Sequence, residues 1–287
     1  MSLLRRAKPL LGTLVEVSVE CEGEGLARAA IDAAFGQIAT IQRLMSFHDP
    51  ESDLSRLNRA PAGVAVMVDP MVAEVLRFAA RLARESEGAF DCSVGSTLVA
   101  LEALPAPNSD RPVDRPAETT SGYCVKGSVV VKSQPCWIDL GGIAKGYAVD
   151  RAIEAIRQIV MAKRGSDDAQ AVVNAGGDLR HFGPKPIAVG IRAPAASAPL
   201  TAKVKLANAA LASSATAPGE GFSSHAGLLV DERSGTRLAA GLAASVMAPT
   251  CMVADALTKV VLVTRNPDHR CLSRHDARCV HAQFDAR

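Results

Sequence analysis

The alternation of apolar and polar residues along the chain gives the first elements. Residues 13–19 follow Leu11-Gly12 with a period of two and a β-branched content that predict a strand. The period then lengthens. Ile31, Phe35, Ile38, Ile41 and Met45 recur at helical spacing, so residues 26–45 are expected to form an amphipathic helix. A second helix is predicted over 72–85 and stops near Gly88. Residues 105–116, rich in Pro, Asp and Asn, read as a surface loop, as does the Ala/Pro/Ser run at 193–199. Between these loops come a strand at 136–140, a tight turn at Gly141-Gly142 and a helix over 144–159. The rhythm of strand and glycine turn returns with 171–174 leading into Gly176-Gly177-Asp178. Short strands at 228–230 and 245–248 and a helix over 251–263 follow. This mixture predicts an α+β or α/β architecture, and no exact repeat of fixed period runs through it.

Composition narrows the class of protein. A chain of 287 residues can bury a full core as one large domain or two lobes. Hydrophobic residues make up 48%, and aromatics only 3%, so the core is built from Ala, Val and Leu. A net charge of +2, with basic residues scattered apart from groups such as Arg5-Arg6 and Lys8, gives no footprint for nucleic acid. The seven cysteines are odd in number and form no Cys-x-x-Cys pair, which fits a reducing compartment better than a disulfide framework. Glu16 and Glu20 interrupt the first apolar run too early for a signal sequence, and Cys21 lacks the context of a lipid-attachment site. No segment approaches the ~20 apolar residues of a membrane span. A cytoplasmic location is expected.

Three clusters carry candidate chemistry. In Asp139-Leu140-Gly141-Gly142-Ile143-Ala144-Lys145-Gly146-Tyr147, a glycine turn before a helix lets backbone amides approach an anion, and Lys145 adds a mobile cation suited to phosphate. A plain tight turn with a surface lysine has the same sequence. Asn174-Ala175-Gly176-Gly177-Asp178 places a carboxylate just after a second glycine pair, either to accept hydrogen bonds from a ligand or to bond its own backbone. On a helix, Asp255 shares a face with Thr258 and Lys259. Such oxygens suit magnesium, but the spacing alone favours an Asp255–Lys259 ion pair. His269, Cys271, His275, Cys279 and His281 crowd the C-terminal region without a standard zinc spacing. Ser213-Ser214 lacks the Gly-x-Ser-x-Gly context of a hydrolase nucleophile.

The order of these clusters adds a resemblance. Leu11-Gly12-Thr13-Leu14-Val15-Glu16-Val17, Met45-Ser46-Phe47-His48, Ser52-Asp53-Leu54-Ser55-Arg56-Leu57-Asn58, Gly88-Ala89-Phe90-Asp91-Cys92-Ser93-Val94-Gly95, the Asp139–Asp150 block, Asn174–Asp178 and Ala254-Asp255-Ala256-Leu257-Thr258 occur in sequence. Across almost its whole length the chain resembles the ApbE family, the FAD:protein FMN transferases. The resemblance implies an α+β, T-fold-like mixed fold of two lobes, with FAD in the cleft between them and residues 1–287 forming a single transferase domain.

It also implies roles. Met45, Ser46 and Phe47 would lie against the isoalloxazine, with Phe47 where the family often has tyrosine. Phe90, Asp91, Gly141, Gly142, Gly176, Gly177 and Asp178 would help hold the nucleotide, and Lys145 would approach the pyrophosphate. Mg2+ would be bound by the Ala144 carbonyl, Asp255 and Thr258. A threonine hydroxyl of an acceptor flavoprotein would attack the FMN phosphorus and expel AMP, with Lys145 and Asp255 in the catalytic set and His225 as the general base. No Asp-Gly-x-Thr-Gly-Ala-Thr target motif stands in this chain, so self-modification is not expected. One departure stands out. The family's helix reads Asp-Ala-Leu-x-Thr, whereas here threonine comes one residue early and Lys259 fills the turn position. A metal-dependent FAD pyrophosphatase and a flavin-binding protein without catalysis are the alternatives on the same site.

Overall fold

Two strands joined at Leu11-Gly12, β1 (Ser2–Leu10) and β2 (Thr13–Cys21), open the chain in the computed structural model, which describes residues 1–107, 121–162, 168–192, 200–216 and 228–284. There follow α1 (Glu24–Met45), α2 (Asp53–Arg59), β3 (Ala65–Met67), α3 (Pro70–Glu85), α4 (Gly95–Ala100), β4 (Tyr123–Lys126), β5 (Val129–Lys132) and α5 (Ala144–Met161). The remainder comprises β6 (Gln170–Ala175), β7 (Asp178–Phe182), β8 (Ile187–Arg192), β9 (Leu200–Leu206), β10 (Ala210–Ala215), β11 (Val230–Asp231), β12 (Thr236–Arg237), β13 (Ala243–Ala248), α6 (Cys251–Thr264), α7 (Arg270–Arg274) and β14 (Arg278–Gln283). A seven-stranded sheet in the order β1-β2-β6-β7-β10-β13-β14 dominates, with every neighbouring pair antiparallel. The fold is α+β.

The sheet's pattern explains its packing. In β2, Val15, Val17 and Val19 are fully buried while Glu16, Ser18 and Glu20 between them are only partly covered, as one buried face requires. Helices α1, α5 and α6 pack against this sheet, with α5 touching both of the others. Small residues on α1 (Ala27, Ala30, Ala34) alternate with Ile31, Phe35 and Ile38, all buried. One apolar cluster runs through the large sheet, these helices, α3 and the small β3-β5-β4 sheet. The β8–β9 hairpin adds a second cluster, in which Ile191 and Leu206 join Leu179 and Leu211.

Several elements, among them α2, β4, β5, β8, β9, β10 and β14, are not expected from the sequence, and two further differences have a clear physical reason. The alternation of β1 is broken by Arg5, Arg6, Lys8 and Pro9, so its pattern gives no strand signal. An edge strand tolerates these residues because one side of its ladder faces no partner. Residues 136–140, read as a strand, form only a single bridge between Trp137 and Val94. Side chains and loop carbonyls complete that segment instead. Asn58 accepts from the Ile138 amide (2.7 Å) and donates to its carbonyl (2.8 Å), the Trp137 amide donates to Ser96 Oγ, and the Asp139 amide to the Cys92 carbonyl. The buried Lys132 ammonium bonds the carbonyls of Asn58 and Cys136. These buried polar groups are satisfied without a ladder. The loop at 193–199 and most of the loop at 105–116 lie outside the described residues.

Helix α6 begins without a cap of its own, since Thr250 offers no side-chain bond to it. The cap comes from α5. Asp150 accepts the amides of Cys251 and Met252, each at 2.8 Å, and the Arg180 guanidinium at 2.9 Å. Burial pushes this carboxyl upward, and Arg180 with the two amides opposes the shift. Removing it leaves two helix-end amides and a largely buried guanidinium without their partner. We therefore expect Asp150→Ala to cost about 3–5 kcal/mol, and Asp150→Asn, which keeps an acceptor oxygen, to cost clearly less. Urea denaturation followed by circular dichroism checks both.

Candidate active site

A cleft of about 450 Å³ opens beside the N-terminal end of α5 and the middle of α6. Its apolar lining comes from Ala89, Phe90, Val94 and Leu98 and from Leu228, Leu229 and Val230. The segment around β11 is pinned across the opening by Thr97 Oγ1, which donates to Glu232 at 2.7 Å. The floor is polar and glycine-rich, with Asp139, Gly141, Gly142, Lys145, Gly176, Ser213, Ser214 and Lys259.

The glycine turns are built for close approach. Gly176 and Gly177 (φ +62° and +101°) make the two-residue connection between β6 and β7, a conformation that requires positive φ at both positions. A side chain on Gly176 would lie 2.6 Å from Thr13 Oγ1. Asn174 holds the turn by accepting the Gly177 amide at 3.0 Å. A strand, β7, follows this second glycine pair, and it opens with Asp178. At the first pair, Asp139 accepts the Gly141 amide (3.0 Å), so part of the turn's backbone is already engaged. Burial raises the Asp139 carboxyl, and the Gly141 amide, His48 and Lys145 oppose that shift.

Two lysines and two buried carboxylates form the charged centre. Lys145 Nζ lies 2.9 Å from Asp178 Oδ2 and 3.8 Å from Asp255 Oδ2. Lys259 Nζ pairs with Asp255 Oδ1 and donates to the Asp255 carbonyl at 3.1 Å. Asp255, wholly buried, also accepts the Gly146 amide at 3.1 Å. Gly146 permits this contact, because a Cβ there would fall 2.3 Å from the Cys251 carbonyl oxygen. Desolvation works against the Lys145 charge, but Asp255 and Asp178 outweigh it, so its pKa is raised and the ammonium persists. Asp178 moves up to about 6, driven by burial and then by Asp255, with Lys145 and Lys259 only partly restoring it.

The profile of the ApbE family matches residues 11–280. The chain belongs to the ApbE family. Two curated relatives are called FAD:protein FMN transferase. The one from Rhodobacter capsulatus is 32% identical over 198 residues, covering 64% of this chain and 36% of that protein. The one from Haemophilus influenzae is 27% identical over 245 residues, covering 76% of this chain and 68% of that protein. The chain thus spans about a third of the length of the first relative. Among solved structures, the ApbE protein of Thermotoga maritima superposes with a TM-score of 0.78 at 25% identity, covering 95% of this chain and 90% of that one. The apo flavinyl transferase ApbE of Pseudomonas stutzeri gives 0.72 at 22% identity, covering 95% and 87%, and shares the fold.

Of the residues that the ApbE resemblance singles out, Phe90, Asp91, Gly141, Gly142, Lys145 and Gly176 line the cleft. Gly177 adjoins Gly176, and Asp178 and Asp255 meet the cleft through Lys145. Met45 is buried in the core, and Ser46 and Phe47 are half-buried in the turn after α1; none of the three lines the cleft. Ser46 holds that turn by accepting the amides of His48 and Asp49. His225 lies outside the described residues.

The oxygens implied for a metal do not fit one as they stand. Both Asp255 carboxylate oxygens have N–H partners, Oδ1 from Lys259 and Oδ2 from Gly146. Thr258 Oγ1 donates to the Asp255 carbonyl (2.6 Å) and accepts from Ser214 Oγ (2.7 Å). Among the described residues no group of three or more His, Cys, Asp or Glu is placed to hold a metal. Sequence reasoning gave no role to Asn58, Asp139, Ser214 or Glu232. Each acts through a partner far away in the chain or through backbone groups, which local pattern does not reveal.

The Asp178 shift has a definite sign. Its folded value, about 6, stands above the ordinary 3.8, so the folded state binds this proton more tightly than the unfolded chain. The stability contributed by that proton is full below pH 3.8 and is lost as pH rises from there through about 6. We expect the unfolding free energy of Asp178→Asn to fall less than that of the wild type across this window, as read by urea titrations at half-unit pH steps.

Proposed function

We propose that this chain is an FAD:protein FMN transferase, moving FMN from FAD to a threonine hydroxyl of an acceptor flavoprotein. Two relatives carry that name, and the reading takes residues 1–287 as one transferase domain, which the continuous apolar core supports. The observation that carries it is the pairing of an apolar lining with two ammonium groups in one cleft. A flat isoalloxazine suits the wall around Phe90, and a diphosphate suits Lys145 and Lys259 between the glycine turns. In the reaction the threonine oxygen bonds to the FMN phosphorus as the bond from that phosphorus to the bridging oxygen breaks. AMP leaves with the bridging oxygen, and the hydroxyl proton passes to a base, a role proposed for His225. Lys145, fixed by Asp178 and Asp255, stabilises the charge that develops on the leaving phosphate. Asp255 is a positioning residue here, since its carboxylate reaches the cleft only through the lysines.

Magnesium, implied by the resemblance at the Ala144 carbonyl, Asp255 and Thr258, would require Asp255 and Thr258 to exchange their present partners, and no step above depends on it. The proposed location is cytoplasmic. All seven cysteines carry free thiols, which suits a reducing compartment. Among the described residues no helix is long and apolar enough to cross a membrane.

The test is incubation of the purified chain with FAD, Mg2+ and a peptide containing Asp-Gly-x-Thr-Gly-Ala-Thr. We expect the peptide to gain the mass of an FMN phosphoester with equimolar AMP release, and Lys145→Ala to slow transfer by about 10²–10³-fold. AMP release with an unmodified peptide would instead identify a pyrophosphatase. Intact bound FAD would identify a flavin-binding protein.

A further inference from the structure

We infer that Lys259 is a resident cation which holds Asp255 in place of a divalent metal ion and presents its ammonium to the diphosphate of the substrate. The inference rests on the flavin-transfer reading for the identity of that diphosphate, but its first half concerns the protein alone.

The geometry is that of an intrahelical clamp. Asp255 and Lys259 stand four residues apart on α6, the spacing at which side chains meet. The ammonium pairs with Oδ1 of the carboxylate and also bonds the backbone carbonyl of the same residue. A lysine has three N–H donors, so these two acceptors leave one for the cleft. Lys259 lines that cleft, its stem packed beside Gly142, where an added Cβ would meet its Cε at 3.5 Å. A side chain at Gly142 would also touch Phe90, so the glycine keeps the lysine and the apolar wall close together.

The remaining oxygen of Asp255 is committed as well. Gly146 donates its amide to Oδ2, and the Lys145 ammonium stands 3.8 Å away. A divalent ion bound to this wholly buried carboxylate would sit within a few ångströms of two ammonium groups, and like charges that close repel. Thr258, the other side chain implied for a metal, turns its hydroxyl to the Asp255 carbonyl and to Ser214. Lys145 pairs with Asp178 and Lys259 with Asp255, so each of these two carboxylates already has an ammonium partner, while Asp91 and Asp139 add further negative charge to the cleft. The ammonium is tethered, so no free ion has to be recruited to hold the carboxylate.

Mn2+ alone, added to the full chain without flavin and followed by electron paramagnetic resonance, tests the first half. We expect the wild type to show no Mn2+ site that depends on Asp255 up to millimolar ion. Lys259→Ala should expose the carboxylate and gain one site per chain, at least ten-fold tighter than any in the wild type and absent from the Asp255→Asn/Lys259→Ala double variant. One Mn2+ per wild-type chain that disappears in Asp255→Asn overturns the inference. So does a folded Lys259→Ala that gains no site. Lys259→Arg keeps the charge and must stay without the metal site, which guards against a gain caused by mere loosening. For the second half, FAD titrated by flavin fluorescence quenching should bind the wild type equally, within two-fold, in EDTA and in Mg2+, and at least ten-fold more weakly when Lys259 is replaced by alanine. A ten-fold or greater strengthening by Mg2+ in the wild type overturns it. Failure to bind FAD at all would overturn the flavin-transfer reading, while the Mn2+ comparison would still decide the role of Lys259 at Asp255.

Discussion

The closeness of α5 and α6 at their N-terminal ends is the constraint on which the site depends. Each helix supplies a carboxylate to the other's opening turns. Asp150 of α5 takes the first two amides of α6, and Asp255 of α6 takes the Gly146 amide of α5. The exchange requires near-contact of backbones, and a methyl group at position 146 would collide with the Cys251 carbonyl. Unpaired amides and aligned peptide dipoles make each helix N-terminus positive. Two such ends side by side would repel if left bare. The exchanged carboxylates offset that repulsion, and Asp255 at the same time brings negative charge to the base of the cleft.

That negative charge explains why two lysines converge there. Asp178, delivered by the β6–β7 turn, and Asp255, delivered by α6, both approach Lys145. Burial and mutual repulsion raise Asp178, while the same two carboxylates raise Lys145 against its own desolvation. The ammonium is thus fixed in position and kept charged, which is what an electrostatic stabiliser of a diphosphate needs. Fixing it on rigid elements matters more than its mere presence, because a mobile lysine at the surface loses much of its attraction to water.

Much of this was legible in the sequence, and the parts that were not have a common cause. Helical periodicity placed α1, α3, α5 and α6 within a few residues of their limits, because each has one buried face repeating at 3.6 residues. The glycine pairs marked turns at the cleft floor. The ordered series of motifs supplied the family, and with it Lys145, Asp178 and Asp255. What escaped were relations between distant positions. Residues 136–140 look like a strand because they are buried and extended, yet Asn58 satisfies Ile138 where a neighbouring strand would. The strand β1 shows no alternation because it lies at a sheet edge. Asp150 caps a helix a hundred residues away, and no local pattern announces such a cap.

The displacement of threonine by one residue in α6 shows how small a change reassigns a site. Successive residues of an α-helix are turned by about 100°. At position 259 a side chain stands almost directly above Asp255 and faces the cleft. At position 258 it is rotated toward the sheet, and Thr258 indeed meets Ser214 of β10. The Thr258 hydroxyl joins helix to sheet through Ser214 and does not face the Asp255 carboxylate. The position facing the carboxylate then falls to a side chain long enough to fold back on it and positively charged. Lys259 supplies both, and in this chain the carboxylate's hydrogen-bond partners are that ammonium and the Gly146 amide.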